Sequence, residues 1–187
     1  MLTHDTKHLN YQELLRAAKT VPFGPDSKKL NIALLGDISL QHVGAMIRAI
    51  LARHSIDARL YEGEYGAEAL EARNPASDLY AFGPDVIVLF SSTQGIRERY
   101  YTSEAKESFV RDTISRVKAI WNALQTHSNV LIIQSTVVLP FERLFGHYDS
   151  HVPHTLSRAV CEVNRQIIEH AREQKNVRIL DIEYIAS

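Results

Sequence analysis

Three short segments carry the residue types that chemistry needs, each beside an apolar run. Gly36-Asp37-Ile38-Ser39-Leu40 stands between a strand-like run and a helical period. A strand-to-helix turn with small polar residues aims N–H groups and hydroxyls at a ligand, and the helix dipole favours an anion there. Asp37 or Ser39 would equally serve as a helix cap, and spacing leaves both roles open. The segment is no dinucleotide fingerprint, because the next glycine, Gly44, falls too late, and no Gly-Lys-Ser/Thr makes it a phosphate loop. Ser91-Ser92-Thr93-Gln94-Gly95 is a hydroxyl-rich segment after a second apolar run. Such segments donate hydrogen bonds to anions or carbonyl oxygens, or simply build turns. The third segment, running from Gly146 to His154, holds His147, His151 and His154, three of the nine histidines, together with Asp149. It could ligate a metal, supply a general-base histidine, or be a solvated loop. Spacings of four and three residues match no diagnostic ligand pattern, and no second Cys/His cluster supports one, so no metal is expected.

These segments need elements to position them. Apolar runs rich in Val, Ile and Leu at 30–35, 58–61, 86–90, 130–138 and 177–182 read as five strands buried on both faces. Helical spacing fills 42–54, 103–125 and 156–174, while 67–82 is mixed, with one or two short helices around Pro75. Alternating strands and helices predict an α/β three-layer sandwich on a five-stranded parallel sheet. Sites in such sheets lie beyond the carboxyl ends of the strands, near the reversal of strand order. That edge collects Gly36, Asp37, Ser39, Gly63, Ser91, Ser92, Thr93 and the histidine segment. Trp121 shares a helical face with Val117, Ile120 and Leu124 and is expected in the core. Cys161 is expected as a small buried residue, and Tyr61, Tyr65 and Tyr80 as part of a pocket rim. Residues 11–20 read as a short amphipathic helix and 21–29 as a linker, so the domain is expected over 30–187.

Composition narrows the function classes. At 187 residues with 45% apolar content, one soluble domain is the natural reading. A net charge of −1 argues against a broad nucleic-acid surface or a polybasic membrane patch. No apolar run approaches the roughly 20 residues of a membrane helix, and the opening MLTHDTKHLNYQ is no secretory signal. The single cysteine forbids an internal disulfide, so a reducing, cytoplasmic setting is expected.

Longer stretches carry a resemblance. Leu30-Asn-Ile-Ala-Leu-Leu-Gly-Asp-Ile-Ser-Leu-Gln41, Leu60-Tyr-Glu-Gly-Glu-Tyr-Gly66 and Asn74-Pro-Ala-Ser-Asp-Leu-Tyr-Ala-Phe-Gly-Pro-Asp-Val-Ile-Val-Leu89 resemble the N-terminal domain of FkbH-like proteins of the HAD superfamily. Asn164 in its helix and the strand Ile179-Leu-Asp-Ile-Glu183 fit as well, so the likeness covers about 30–185. It implies an SGNH (GDSL-type) hydrolase-like domain, with the alternating elements in the flavodoxin-like strand order 2-1-3-4-5, attached to a HAD domain with aspartate-based phosphoryl or acyl-transfer chemistry. Magnesium would belong to that HAD domain, and no cofactor is expected in this chain. The HAD signature Asp-x-Asp-x-Thr is missing, since Asp181-Ile-Glu183 lacks the second Asp and the Thr. The chain is therefore expected to be the N-terminal piece of a longer protein.

The SGNH pattern departs at three places. Ser39 stands one residue later than the nucleophile that should follow Gly36-Asp37, and Gly63 is left as the oxyanion glycine. Ser91-Ser92-Thr93 replace the Gly-x-Asn-Asp block, and Tyr184 stands where the histidine of Asp-x-x-His belongs. A serine hydroxyl without a base stays a weak nucleophile. Three readings follow. The domain is non-hydrolytic and positions a small-molecule or carrier-protein-linked substrate, with Gly36, Gly63, Ser91, Ser92, Thr93, His147 and His151 at the binding site. Alternatively it is an active esterase with Ser39, Asp37 and His154 as catalytic residues. The third reading is a plain ligand-binding or docking module. A role in carbohydrate, polyketide or other carrier-linked biosynthesis is what the resemblance implies.

Overall fold

The computed structural model describes residues 12, 13, 16, 27–141 and 143–186. Gln12, Glu13 and Arg16 of the expected N-terminal helix are helical, and the rest of it lies outside the described residues, as do positions 21–26 of the expected linker. The elements are β1 (Lys28–Gly36), α1 (Gln41–Arg53), β2 (Ile56–Glu62), α2 (Glu68–Arg73), α3 (Asp78–Phe82), β3 (Val86–Phe90), α4 (Thr93–Thr102), α5 (Phe109–His127), β4 (Leu131–Ser135), a 3₁₀ turn (Gly146–His151), α6 (Leu156–Arg172), β5 (Val177–Leu180) and α7 (Ile182–Ala186). The strands form one parallel sheet in the expected order β2-β1-β3-β4-β5.

The period of a strand divides the core. Ala33, Leu35, Ile87, Leu89 and Ile132 point to one face, under α4, α5 and α6. Ile32, Leu34, Val88 and Phe90 point to the other, where Ile47 and Leu51 of α1 cover them. Each fully buried Leu or Ile contributes roughly 1.5–3 kcal/mol, so packing, not propensity, holds these short elements. Trp121 is in the larger cluster at 2% exposure, as its helical face predicts.

Side-chain hydrogen bonds move several element ends. The apolar run 130–138 reads as one long strand, yet β4 stops at Ser135. Asn164 of α6 takes Val137 out of the ladder, accepting from its N–H at 2.8 Å and donating to its C=O at 2.7 Å. The run 177–182 is cut at Leu180 because Asp181 accepts the Tyr184 N–H (3.2 Å) at the start of α7. The expected helix 103–125 is α5, which begins only at Phe109, and a separate helix, α4, precedes it where no helix was expected. The Lys106 ammonium donates to the carbonyls of Tyr100, Tyr101 and Ser103, ending α4 before α5 begins. The mixed segment resolves into the short α2 and α3, separated by residues 74–77.

Cys161 corrects the sequence reading. The buried face of α6 is built from Leu156, Val160, Val163 and Ile167, and Cys161 is turned away from it and exposed. Its thiol is pushed above its ordinary range, first by partial desolvation and then by the Glu183 carboxylate. The thiolate is the reactive form. Native protein should therefore react with Ellman's reagent at one thiol per chain, slowly at neutral pH. The rate should still be climbing beyond pH ~8.5, where an ordinary thiol is half ionised. A thiol that reacts only after unfolding would contradict the exposed position.

Candidate functional site

β1 starts at exposed Lys28 and Lys29 and finishes fully buried at Leu34, Leu35 and Gly36. It thereby delivers Asp37 into the interior, at 6% exposure. A buried carboxylate needs partners. Asp37 Oδ1 accepts the Ser92 N–H at 2.7 Å, and Oδ2 faces Arg99 Nη1 of α4 at 3.2 Å. Asp37 is therefore no cap for α1. Leu40 occupies that N-cap position, without a side-chain hydrogen bond. The capping is done instead by Ser92, whose Oγ accepts the Gly95 N–H at 2.9 Å at the start of α4. Thr93, Gln94 and Gly95 thus form a helical turn, where the sequence reads as a loop. Gly95 is required there, because a Cβ would stand 2.0 Å from Asp37 Oδ2.

Beside Asp37 lies an interior cavity of about 30 Å³. Ser91 and Gln134 contribute to its lining at the ends of β3 and β4. Gln134 accepts from the Trp121 indole N–H at 3.1 Å and donates to Ser91 Oγ at 3.4 Å. Two ion pairs reach the same cavity: Asp37 with Arg99, and Glu68 with Arg116 at 2.7 Å. Glu68, Arg99, Arg116 and Gln134 were not among the sequence candidates.

The other candidates lie elsewhere. Ser39 is exposed and lines a separate groove of about 200 Å³ with Gly36, Glu62, Gly63 and Tyr65. No histidine lines that groove among the described residues. The Gly63 N–H is already donated to Leu34 O at 2.9 Å, and the Ser91 N–H to Ser135 Oγ at 2.9 Å. Thr93 Oγ1 donates to Val138 O at 2.6 Å. Of the three tyrosines, Tyr65 alone lines this groove. Tyr61 donates to Glu71 Oε2 and Tyr80 to Ala72 O, both inside the fold. Burial and the Glu71 carboxylate drive the Tyr61 phenol well above its ordinary range.

His147 and His151 are exposed on the 3₁₀ turn, where His151 stacks on Tyr148 with ring centroids 5.2 Å apart. His154 adopts a left-handed φ of 55°, and its carbonyl accepts the Tyr100 hydroxyl. It lines two grooves beside the start of α6, both distinct from the groove of Ser39. Asp149 is buried and accepts from Thr155 Oγ1 at 3.1 Å, which stabilises the start of α6. Among the described residues no group of three or more His, Cys, Asp or Glu is arranged to hold a metal ion, so magnesium has no fitting site there. No described helix is long and apolar enough to cross a membrane. The sequence candidates thus occupy three places: Asp37, Ser91 and Ser92 about the interior cavity, Gly36, Ser39 and Gly63 on the open groove, and the histidines beyond α4.

Comparison with known proteins follows this geometry. A family model described as FkbH, N-terminal domain, matches residues 31–187. No curated protein matches the chain. The N-terminal part of the protein BF1531 from Bacteroides fragilis, which contains a phosphatase domain complexed with Mg, superposes with a TM-score of 0.83 at 22% identity. That match covers 95% of this chain and 46% of the other, so this chain spans about half of the relative's length. A provisionally described acylhydrolase, BF3764 from Bacteroides fragilis NCTC 9343, gives a TM-score of 0.47 at 13% identity, covering 92% of this chain and 76% of that one.

The Asp37 cluster should be measurable in stability. Gly95→Ala forces a methyl group onto the carboxylate and should cost about 1–3 kcal/mol, the range for overpacking. Asp37→Ala leaves the buried Ser92 N–H without an acceptor and should cost about 1–3 kcal/mol. Arg99, about a third exposed, adds little to that figure. Urea midpoints that fall at unchanged slope would bear this out, and unchanged midpoints would refute it.

Proposed function

The chain belongs to the FkbH N-terminal domain family, and on that premise we propose that it is a non-hydrolytic, SGNH-like domain that positions a substrate for an attached phosphatase-type HAD domain. The substrate is a small molecule or a group held on a carrier protein. The supporting observation is that the N–H donors and the carboxylate a hydrolytic site would use are already engaged, and that among the described residues no histidine lines the groove of Ser39. Ester hydrolysis needs a nucleophile, a base within ~3 Å and free oxyanion donors. The N–H groups of Gly63, Ser91 and Ser92 are all donated to internal acceptors. The Asp37 carboxylate is held by Ser92 and Arg99. Losing one oxyanion donor typically costs 100- to 1,000-fold in rate, and the missing base acts on the same transition state.

In this reading the chain's residues bind and orient. Gly36, Ser39 and Gly63 offer an open groove at the carboxyl edge, while Ser91, Ser92 and Thr93 hold the adjoining backbone in place. His147 and His151 present polar groups on the exposed 3₁₀ turn. Magnesium chemistry belongs to the attached domain, and none of these residues is assigned to it. A cytoplasmic setting is part of the proposal, supported by the exposed thiol of Cys161, which oxidising compartments would modify.

The test is hydrolysis of p-nitrophenyl acetate by the purified chain. Turnover should not exceed the buffer rate, and Ser39→Ala and His154→Ala should leave it unchanged. Clear turnover abolished by either substitution would replace this reading with the esterase.

A further inference from the structure

Two charged side chains line the interior cavity, each with one buried polar atom that makes no hydrogen bond. Among the described residues, Glu68 Oε2 and Arg99 Nε are buried and make no hydrogen bond. Their other ends are engaged: Glu68 Oε1 accepts from Arg116 Nη2, and Arg99 Nη1 faces Asp37 Oδ2. Both residues line the same cavity. Buried polar groups are almost always paired, so two orphans of opposite kind in one cavity require an explanation.

The two atoms define the chemistry that satisfies them. Glu68 Oε2 needs a donor and Arg99 Nε–H needs an acceptor. A cation would meet the guanidinium, and an anion would meet the carboxylate. A neutral group that both donates and accepts answers both atoms at once. The cavity, at about 30 Å³, exceeds the roughly 10–15 Å³ that one water requires and is too small for a larger ligand as a whole.

We infer that Glu68 and Arg99 form a binding site for a single neutral hydroxyl, which donates to Glu68 Oε2 and accepts from Arg99 Nε. The hydroxyl is that of a water, or the alcohol tip of a substrate. It closes a chain of charges from Asp37 through Arg99, the hydroxyl and Glu68 to Arg116. That chain joins the end of β1 to α4, α2 and α5 around the carboxyl edge of the sheet. The water arm stands without the positioning function proposed above, and the alcohol arm rests on it.

Crystals of the 187-residue chain, grown free of alcohols and polyols, test the first arm. The expected result is a water within hydrogen-bonding distance of both Glu68 Oε2 and Arg99 Nε. A dry cavity with the two side chains bonded directly, or a bound ion, would overturn the inference. Stability measurements test it independently. Glu68→Gln and Arg99→Lys each alter one partner, and lysine keeps the charge opposite Asp37. The folding constant of the double variant should differ at least about threefold from the product of the single effects. A double variant that matches that product counts against a shared hydroxyl. Methanol separates the two sources. A methanol oxygen replacing the water in soaked crystals, with a saturable shift of the Trp121 indole N–H resonance in solution, supports the alcohol arm. Water retained against methanol overturns that arm and leaves the positioning function itself untouched, because esterase turnover tests that function separately.

Discussion

The carboxylate of Asp37 is the constraint on which the rest of this edge depends. A charge at 6% exposure is costly unless it is fully engaged. Its two partners come from different elements, a backbone N–H at the end of β3 and a guanidinium on α4. The end of β1, the turn after β3 and the first turns of α4 must therefore arrive together. Gly95 exists to permit it, since any side chain there would occupy the space of the carboxylate. Gln134 repeats the device one strand away, tying Trp121 of α5 to Ser91. The carboxyl edge is thus set by polar groups locked into one arrangement, beneath which an ordinary apolar core supplies most of the stability.

That division explains what could be read from the sequence. The positions of the strands follow from apolar runs, which are local and strong, so β3 falls where its Val-Ile-Val-Leu-Phe run places it, while strand order needed the alternation of elements and the family resemblance. Trp121 was legible for the same reason. Periodicity carries no record of a side chain from elsewhere that captures the backbone. Hence the long apolar run of β4 concealed the stop imposed by Asn164, and the helical spacing from 103 onward concealed the break that Lys106 imposes ahead of α5. Cys161 was misread because it stands beside Val160 in sequence, although the helical angle turns it to solvent.

The candidate site was legible only in part. Asp37, Ser91 and Ser92 were singled out through the rule that sites gather at the carboxyl edge, and the structure joins Asp37 to Ser92 by a hydrogen bond that spacing did not announce. Arg99, Arg116 and Glu68 lie on helices, where charged residues usually face water, and nothing in their spacing marks them. Gln134 did leave a signal, a lone amide inside the apolar run 130–138. A polar residue that interrupts a strand otherwise buried on both faces is a residue with an assigned partner. The gathering of Ser39 and the histidines at one place did not follow, because the sheet edge is wide enough to hold several separate grooves.

Trp121 gives the molecule an optical reporter of its own. It is the single tryptophan of the chain, sits at 2% exposure, and shares its indole N–H with Gln134. Gln134 in turn touches Ser91 and lines the interior cavity. The indole is therefore one amide away from the space between the ion pairs, and its emission senses the polarity of that space directly. Events at the carboxyl edge become visible as a shift in the colour and intensity of ultraviolet fluorescence, with no label attached and no other indole to obscure it.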